Sequence, residues 1–319
     1  MNSSKVRDII GRYGLLIIFI GLVVFFKVLH WDVFLTADNL RRTILSSGGF
    51  VPLLILASGL TVVMSMGDFD LSFGNTVGLA AGAGVALMVN HGQGWPIALV
   101  TILVMALGVG LINGALIAYV GASSFVITLA SGTILFGFET LWTDNRAING
   151  QLPEFYIDLG KGVLFWGLRA PLFFAVGFAL LIWLMLDRTE LGRYMYAIGG
   201  NREAARLAGI PVKRIRLIGF IIVALASTLV AVLMTANIGG TRSNIGPPFL
   251  LTAYAAVFLG AAVFKPGQFN LPGTILGALF LRVVEVGLLL QQIDSSWINV
   301  SKGGILVFGV LLSQLVARE

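Results

Sequence analysis

The stretch DRTELGRYMYAIGGNREAARLAGIPVKRIRLIGFIIVALASTLVAVLMTA, Asp187 to Ala236, joins two segments of opposite character. Its first part, 187–214, is the least membrane-like in the chain and concentrates arginine. From 215 to 236 Arg216 is the one charge in an otherwise largely apolar run, which is long enough to cross a hydrocarbon core as a helix; that takes ~20 apolar residues. The same alternation of apolar run and polar break continues outward in both directions. It gives ten candidate spans, at 13–29, 45–66, 71–90, 95–120, 123–143, 165–186, 215–236, 249–265, 271–290 and 299–316. The expected fold is an all-α membrane protein of about ten transmembrane helices, with residues 1–319 forming a single transmembrane domain.

Composition demands the same answer. Of 319 residues, 57% are hydrophobic and 11% charged, and the mean hydropathy is +0.95. A soluble domain carries about 25% charged residues, so too few polar side chains exist to cover a water-facing globule. A large soluble domain is excluded, and a nucleic-acid partner is not expected. The 40 glycines point to closely packed helices, because lipid supplies no hydrophobic drive for helix association and small residues let backbones approach. Cysteine is absent, which removes disulfides, thiolate metal sites and thiol nucleophiles. No Ser/His/Asp set or metal-ligand cluster converges on the inner spans, so neither a catalytic nor a metal site is expected. The opening MNSSKVRDIIGR precedes a long apolar run without a small-residue cleavage site and reads as a retained first helix.

Charge placement sets the orientation. With the N-terminus in the cytoplasm, ten spans return the C-terminus there. With Arg169, Arg216, Lys265 and Lys302, which lie at span ends, assigned to the side they border, twelve of the 21 Lys and Arg, Arg318 included, fall on the cytoplasmic side and seven on the external side, leaving Lys27 and Arg282 inside spans. Residues 187–214 become the cytoplasmic loop between spans 6 and 7. There Asn201 can cap a helix of good formers, Arg202 to Leu207, which Gly209 and Pro211 stop. Outside, residues 30–43 carry a capping start at Thr36 or Asp38 and predict a short interfacial helix. Residues 144–164 predict a re-entrant or surface segment.

Several polar and small residues stand out. In GDFDLSFGN, Gly67 to Asn75, either Asp70 or Ser72 can cap the third span, and Asp68 lies beside them. Gly74, Gly78 and Gly82 follow at a spacing of four, lining one helix face so that another backbone can approach; Gly110 and Gly114 repeat the pattern around Asn113. Ionisable groups inside spans are costly and mark structure or pathway. Glu139 is one, and Arg282 with Glu285, three apart, can pair on one face.

Three blocks carry a family resemblance. GGNREAARLAGIPVKRIR, with Glu203-Ala204-Ala205 and then Gly209, is similar to the EAA-type coupling loop of ABC-importer permeases of the ribose/xylose/galactose type. GDFDLSFGN resembles that family's GG-I-DLSVG segment, and FLLTAYAAVFLGAAVFKPGQFNLPGTILGALF, Phe249 to Phe280, resembles its third block. The resemblance covers residues 45 to 316. It implies the permease subunit of an ATP-driven importer in the bacterial inner membrane, moving a sugar or related polyhydroxylated solute from periplasm to cytoplasm. Two permease chains, alike or different, would form the pathway. Two ATP-binding cassette subunits or one tandem ATPase would dock on the coupling helices, and a periplasmic solute-binding protein would deliver the solute. Asn201, Arg202, Glu203, Ala204, Ala205, Arg206 and Gly209 are then the ATPase-coupling residues. Asp68, Asp70, Asn113, Glu139, Arg282 and Glu285 are pathway or gate candidates. Arg282 and Glu285 depart from the neutral or amide residues usual in the family, which leaves the choice of solute open.

The chain itself carries no G-x4-GK[ST] phosphate loop, since Gly160-Lys161 and Lys302 lack the glycine spacing. No cofactor is therefore expected on it; ATP and Mg belong to the partner ATPase, and this chain is a transport subunit rather than an enzyme. An ion-coupled secondary transporter of a small polar solute is the alternative. Such a protein uses midplane carboxylates, and only Glu139 and Glu285 lie clear of span ends.

Overall fold

The computed structural model describes residues 3–317, with side chains described from 13 to 311; Arg318 lies outside them. In chain order the α-helices are α1 (Ser3–Leu29), α2 (Ala37–Asn39), α3 (Phe50–Ser65), α4 (Phe73–Val89), α5 (Trp95–Ala115), α6 (Ser124–Thr143) and α7 (Glu154–Lys161). There follow α8 (Ala170–Arg188), α9 (Glu190–Gly200), α10 (Arg202–Leu207), α11 (Val212–Ile238), α12 (Phe249–Ala261), α13 (Leu271–Leu290) and α14 (Ser295–Ala317). Two short strands, β1 (Ile148–Asn149) and β2 (Gly240–Thr241), pair antiparallel and depart from the all-α expectation. Among the described residues, five segments are long and apolar enough to cross a membrane: Trp95–Val120, α6, α8, α11 and α13. Residues 13–29, α3, α4 and α12 are apolar but shorter.

Where boundaries differ from the sequence reading, local chemistry explains it. Residues 165–169 were expected inside a span, yet α8 begins at Ala170. Trp166 and Gly167 both adopt positive φ, and Val163 bridges to Arg169, so this stretch closes as a tight turn ahead of Pro171. The second span was expected from 45 but α3 starts at Phe50, because 40–44 form a π-helical turn closed by Leu45 N–H on Leu40 O. Thr36 caps α2, its Oγ1 accepting from Asn39 N–H at 3.3 Å, and Asp38 does not serve as the cap.

The chain divides into two compact units, Met1–Thr61 with Leu251–Glu319, and Val62–Leu250. In the first, Phe26, Phe34, Ile44, Val283 and Val286 form an apolar cluster. There α12 and α13 pack backbone to backbone: a Cβ on Gly273 would run into Gly260 O, and one on Gly277 into Ala256 O. Asn270 fixes their connection, accepting from Gly273 N–H at 2.8 Å while its amide donates to Val263 O and Gly260 O.

The second unit is organised on α11, which packs against α4, α5 and α7. Glycines permit this. A Cβ on Gly110 would lie 2.8 Å from Ile221 Cα, and one on Gly114 would lie 3.1 Å from Leu217 Cα, so the α5 pattern brings two backbones together as expected. The strip on α4 behaves differently. Gly74 faces the backbone of Pro247, but Gly78 faces the Glu139 carboxylate and Gly82 the Thr143 methyl. At Gly78 and Gly82 the missing side chain makes room for side chains of α6, not for a second backbone.

Candidate functional site

Residues 189–212 fold as two short helices with a stop at each end. Thr189 Oγ1 accepts Gly192 N–H to start α9. Gly199 lies so close to Ser65 O that a Cβ would clash, which holds the end of α9 against the end of α3. Asn201, extended at φ −155, caps α10 by accepting Ala204 N–H at 3.0 Å. Gly209 ends it at φ +83, with Gly209 N–H on Arg206 O and Ile210 N–H on Ala205 O, both at 3.1 Å. The sequence reading of this helix matches in both its cap and its stop.

Of α10 only Ala205 is buried. Its outer face presents Glu203, Arg206 and Leu207, with Ala204 also exposed. Arg206 donates to Glu203 at 3.0 and 2.5 Å, and that hydrogen bonding holds the Glu203 carboxyl below the usual carboxylate range. Both side chains are exposed, so the pair shapes the surface more than it stabilises the fold.

The inner side of α10 is tied to the second sequence block through Asp68. This carboxylate is buried between α3 and α4 and accepts two hydrogen bonds from Arg216 in the first turns of α11, Nε to Oδ2 at 2.6 Å and Nη2 to Oδ1 at 2.7 Å. Arg216 Nη1 also donates to Ile117 O at 3.1 Å, anchoring the end of the α5 segment. Arg202, at the start of α10, reaches the same Asp68 Oδ1 at 3.5 Å and Met66 O at 3.3 Å. One carboxylate therefore joins α10, α11 and the α3–α4 turn. A buried ion pair survives only when its remaining donors are satisfied, and Ile117 O does that for Arg216.

Asp70 and Asn113 belong to the adjoining network. Asp70 Oδ1 accepts both the N–H and the hydroxyl of Ser72, at 2.8 and 2.6 Å, and Asn113 Nδ2 donates to Ser72 Oγ at 3.0 Å. Asp70 thus does the capping expected of Asp70 or Ser72, and the Ser72 side chain makes no cap bond to α4. From α6, Ser124 Oγ and Thr128 Oγ1 accept Phe69 N–H and Leu71 N–H, so the turn is held by side chains beyond Asp68, while Gly67 and Asp68 N–H bond backbone carbonyls at the end of α3.

Glu139 stands apart from that turn. Its Oε1 accepts Asn244 N–H at 2.9 Å, and its buried Oε2 has no partner among the described residues. The irregular segment after β2 thus returns to α4 and α6, with a Cβ on Gly246 running into Gly74 O. In the other unit, Arg282 pairs with Glu285 at 2.9 Å, as the spacing predicts, and donates to Thr43 O and Ser46 Oγ. Lys302 adds a second bridge to Glu285 at 2.7 Å. Arg216, Asn244 and Lys302 escaped the sequence reading as site residues. Among the described residues no group of three or more His, Cys, Asp or Glu side chains is placed to hold a metal.

Comparison with known proteins identifies the family. The family described as branched-chain amino acid transport system / permease component matches residues 44–313. The Autoinducer 2 import system permease protein LsrD of Salmonella typhimurium is 33% identical over 282 residues, covering 86% of this chain and 83% of its own. LsrD of Photorhabdus laumondii subsp. laumondii is 34% identical over 86% of this chain and 83% of its own. The D-allose transport system permease protein AlsC of Escherichia coli is 28% identical over 96% of this chain and 93% of its own. No solved structure matches the chain. The matched region takes in all three blocks singled out from the sequence, and the chain belongs to this family of ABC-importer permease components.

Proposed function

We propose that this chain is the transmembrane subunit of an ATP-driven importer in the bacterial inner membrane, carrying a sugar or related polyhydroxylated solute from periplasm to cytoplasm. The solute class follows the relatives, permeases of an autoinducer 2 import system and of a D-allose transport system. In this reading residues 1–319 act as one permease domain with ten spans and both termini in the cytoplasm. A second permease chain completes the pathway, separate ATPase subunits bind and hydrolyse ATP with Mg, and a periplasmic binding protein presents the solute. Asn201 to Arg206 and Gly209 couple to the ATPase, whereas Asp68, Asp70, Asn113 and Glu139 bear on the pathway. Arg282 and Glu285 act as a structural ion pair, which their bonds to Thr43, Ser46 and Lys302 favour.

The observation that carries this reading is the shared carboxylate: Arg202 of the short exposed helix and Arg216 of the long buried one both bond Asp68. A displacement of α10 by a docked ATPase is passed to the turn that starts α4. The test is Gly209→Val. Position 209 has open space around it, so the substitution adds no clash, but its φ of +83 costs a side-chain-bearing residue about 1–2 kcal/mol. The expected variant inserts and folds, and couples ATP hydrolysis to uptake several-fold less well in proteoliposomes. Wild-type coupled uptake with wild-type ATPase affinity would reduce the loop to an anchor of topology.

A further inference from the structure

A groove of about 460 Å³ opens beside α10, lined by Arg202, Arg206, Lys213, Arg214 and Arg216, with Glu203 as its one carboxylate. Arg216 is spent on Asp68 and Arg206 on Glu203. Lys213 and Arg214 are exposed, and among the described residues neither has an ion-pair partner; Lys213 stands 5.6 Å over the Tyr119 ring. Both lie in the first turn of α11, the positive end of a 27-residue helix, where cations are disfavoured and anions favoured. No side chain caps that end: Pro211 holds the cap position without a cap hydrogen bond. The unpaired Lys213 and Arg214 and the N-terminal turn of α11, where Val212 N–H is already taken by Ile210 O at 2.8 Å, thus line one groove, and a bound anion would stabilise them together.

The flank of the groove says which anion. Its wall of Ala118 and Tyr119 belongs to the end of the α5 segment, where Tyr119 is 50% exposed and Val120 74% exposed. Above it Ile112 and Leu116 are exposed along the same helix, an apolar track leading away from the cations. A phospholipid has that layout, with a phosphate at the charged level and acyl chains along the helix. We propose that this groove binds the phosphate of an anionic phospholipid headgroup, with Lys213 and Arg214 as its principal ligands and the α11 N-terminus behind them. This site does not depend on the ATPase-coupling reading, and the permease chain alone suffices to test it.

The full-length chain is reconstituted in phosphatidylcholine vesicles, and the association of spin-labelled phosphatidylglycerol is compared with that of spin-labelled phosphatidylcholine. A basic residue near the surface contributes about a fivefold preference for anionic lipid, so the pair supplies about 30-fold. Lys213→Gln with Arg214→Gln is expected to remove most of the wild-type preference, while Lys213→Arg with Arg214→Lys retains it and Arg193→Gln leaves it unchanged. Equal preference in the wild type and the double glutamine variant, or an equal loss in Arg193→Gln, would overturn the site. Displacement of the labelled lipid by millimolar inorganic phosphate would assign the groove to a free anion and overturn the lipid. A double glutamine variant that keeps its lipid but loses affinity for the ATPase would assign it to that protein.

Discussion

Removing the charge at Asp68 while keeping its shape is the sharpest perturbation of the proposed coupling joint. Asp68→Asn leaves the Arg216 guanidinium, 7% exposed at its side chain, without a counter-charge. Breaking a buried ion pair from one side costs about 3–5 kcal/mol, against a total stability of about 5–15 kcal/mol for a folded domain. The folded-to-unfolded ratio should fall by about two to three and a half powers of ten. Stability loss alone would not separate a strut from a transmitting joint. Asp68→Leu with Arg216→Met removes both charges together, and replacing a buried pair by apolar groups is often neutral or stabilising. Arg202→Gln, at a half-exposed cation 3.5 Å from the carboxylate, costs the fold little. Thermal unfolding in detergent and solute uptake per ATP in proteoliposomes should then part company. Asp68→Asn loses both stability and uptake, the Leu/Met pair regains stability without coupling, and Arg202→Gln keeps stability with weakened coupling. A Leu/Met variant that is both stable and fully coupled would refute the joint and leave Asp68 a structural ion pair.

Gly78→Leu must displace the Glu139 carboxylate and should cost the fold about 1–3 kcal/mol, by the usual penalty for overfilling a packed interior. The control is Gly108→Leu, where nothing stands within 4 Å; Ala80 is itself buried and makes a poor one. Equal expression and transport of the two glycine variants would remove the argument for the α4 strip. Because the chain has no cysteine, Ala204→Cys gives a single labelling site on the exposed face of α10, which an impermeant maleimide should reach only from the cytoplasm. Labelling in intact cells from the periplasm would invert the proposed topology. The isolated chain should hydrolyse no ATP, and phosphate release that persists through repurification would contradict its dependence on a partner ATPase.

What was legible in the sequence was local. Asn201, Gly209 and Pro211 act through bonds to neighbours three to five residues away, so the start and stop of α10 could be read directly. Arg282 and Glu285 sit three apart on one helix, and their pairing follows from helical geometry. The partners of Asp68 and Glu139 follow no such period. Arg216 is 148 positions from Asp68, and Asn244 is 105 from Glu139. A run of arginines in 187–216 announces a charged loop without saying which of them turns inward. The signal that could have singled out Arg216 is its place two residues past the last exposed cation, where the apolar run has already begun. A charge on that side of a span boundary must find a buried partner.

The glycine spacing illustrates the same limit from the other direction. Its period correctly marks one face of α4, but a period cannot state what occupies the space. Gly74 and Gly78 are separated by about 6 Å along the helix axis at 1.5 Å per residue. Within that length the face receives the backbone of 246–247 and then the Glu139 carboxylate, which itself holds Asn244 N–H. Irregular backbone away from water has to be satisfied by protein, and here the missing side chains of α4 make the room while Glu139 supplies an acceptor. Asp68, Asp70 and Ser72 fix the start of the same helix from below. The proposed coupling joint and the irregular segment therefore bear on one stretch of α4, Phe73 to Gly78. A side chain added at Gly74 would meet the backbone of Pro247 and one at Gly78 the Glu139 carboxylate, so either would disturb the upper contact while Asp68 keeps Arg216 and Arg202, separating the two ends of the proposed mechanism.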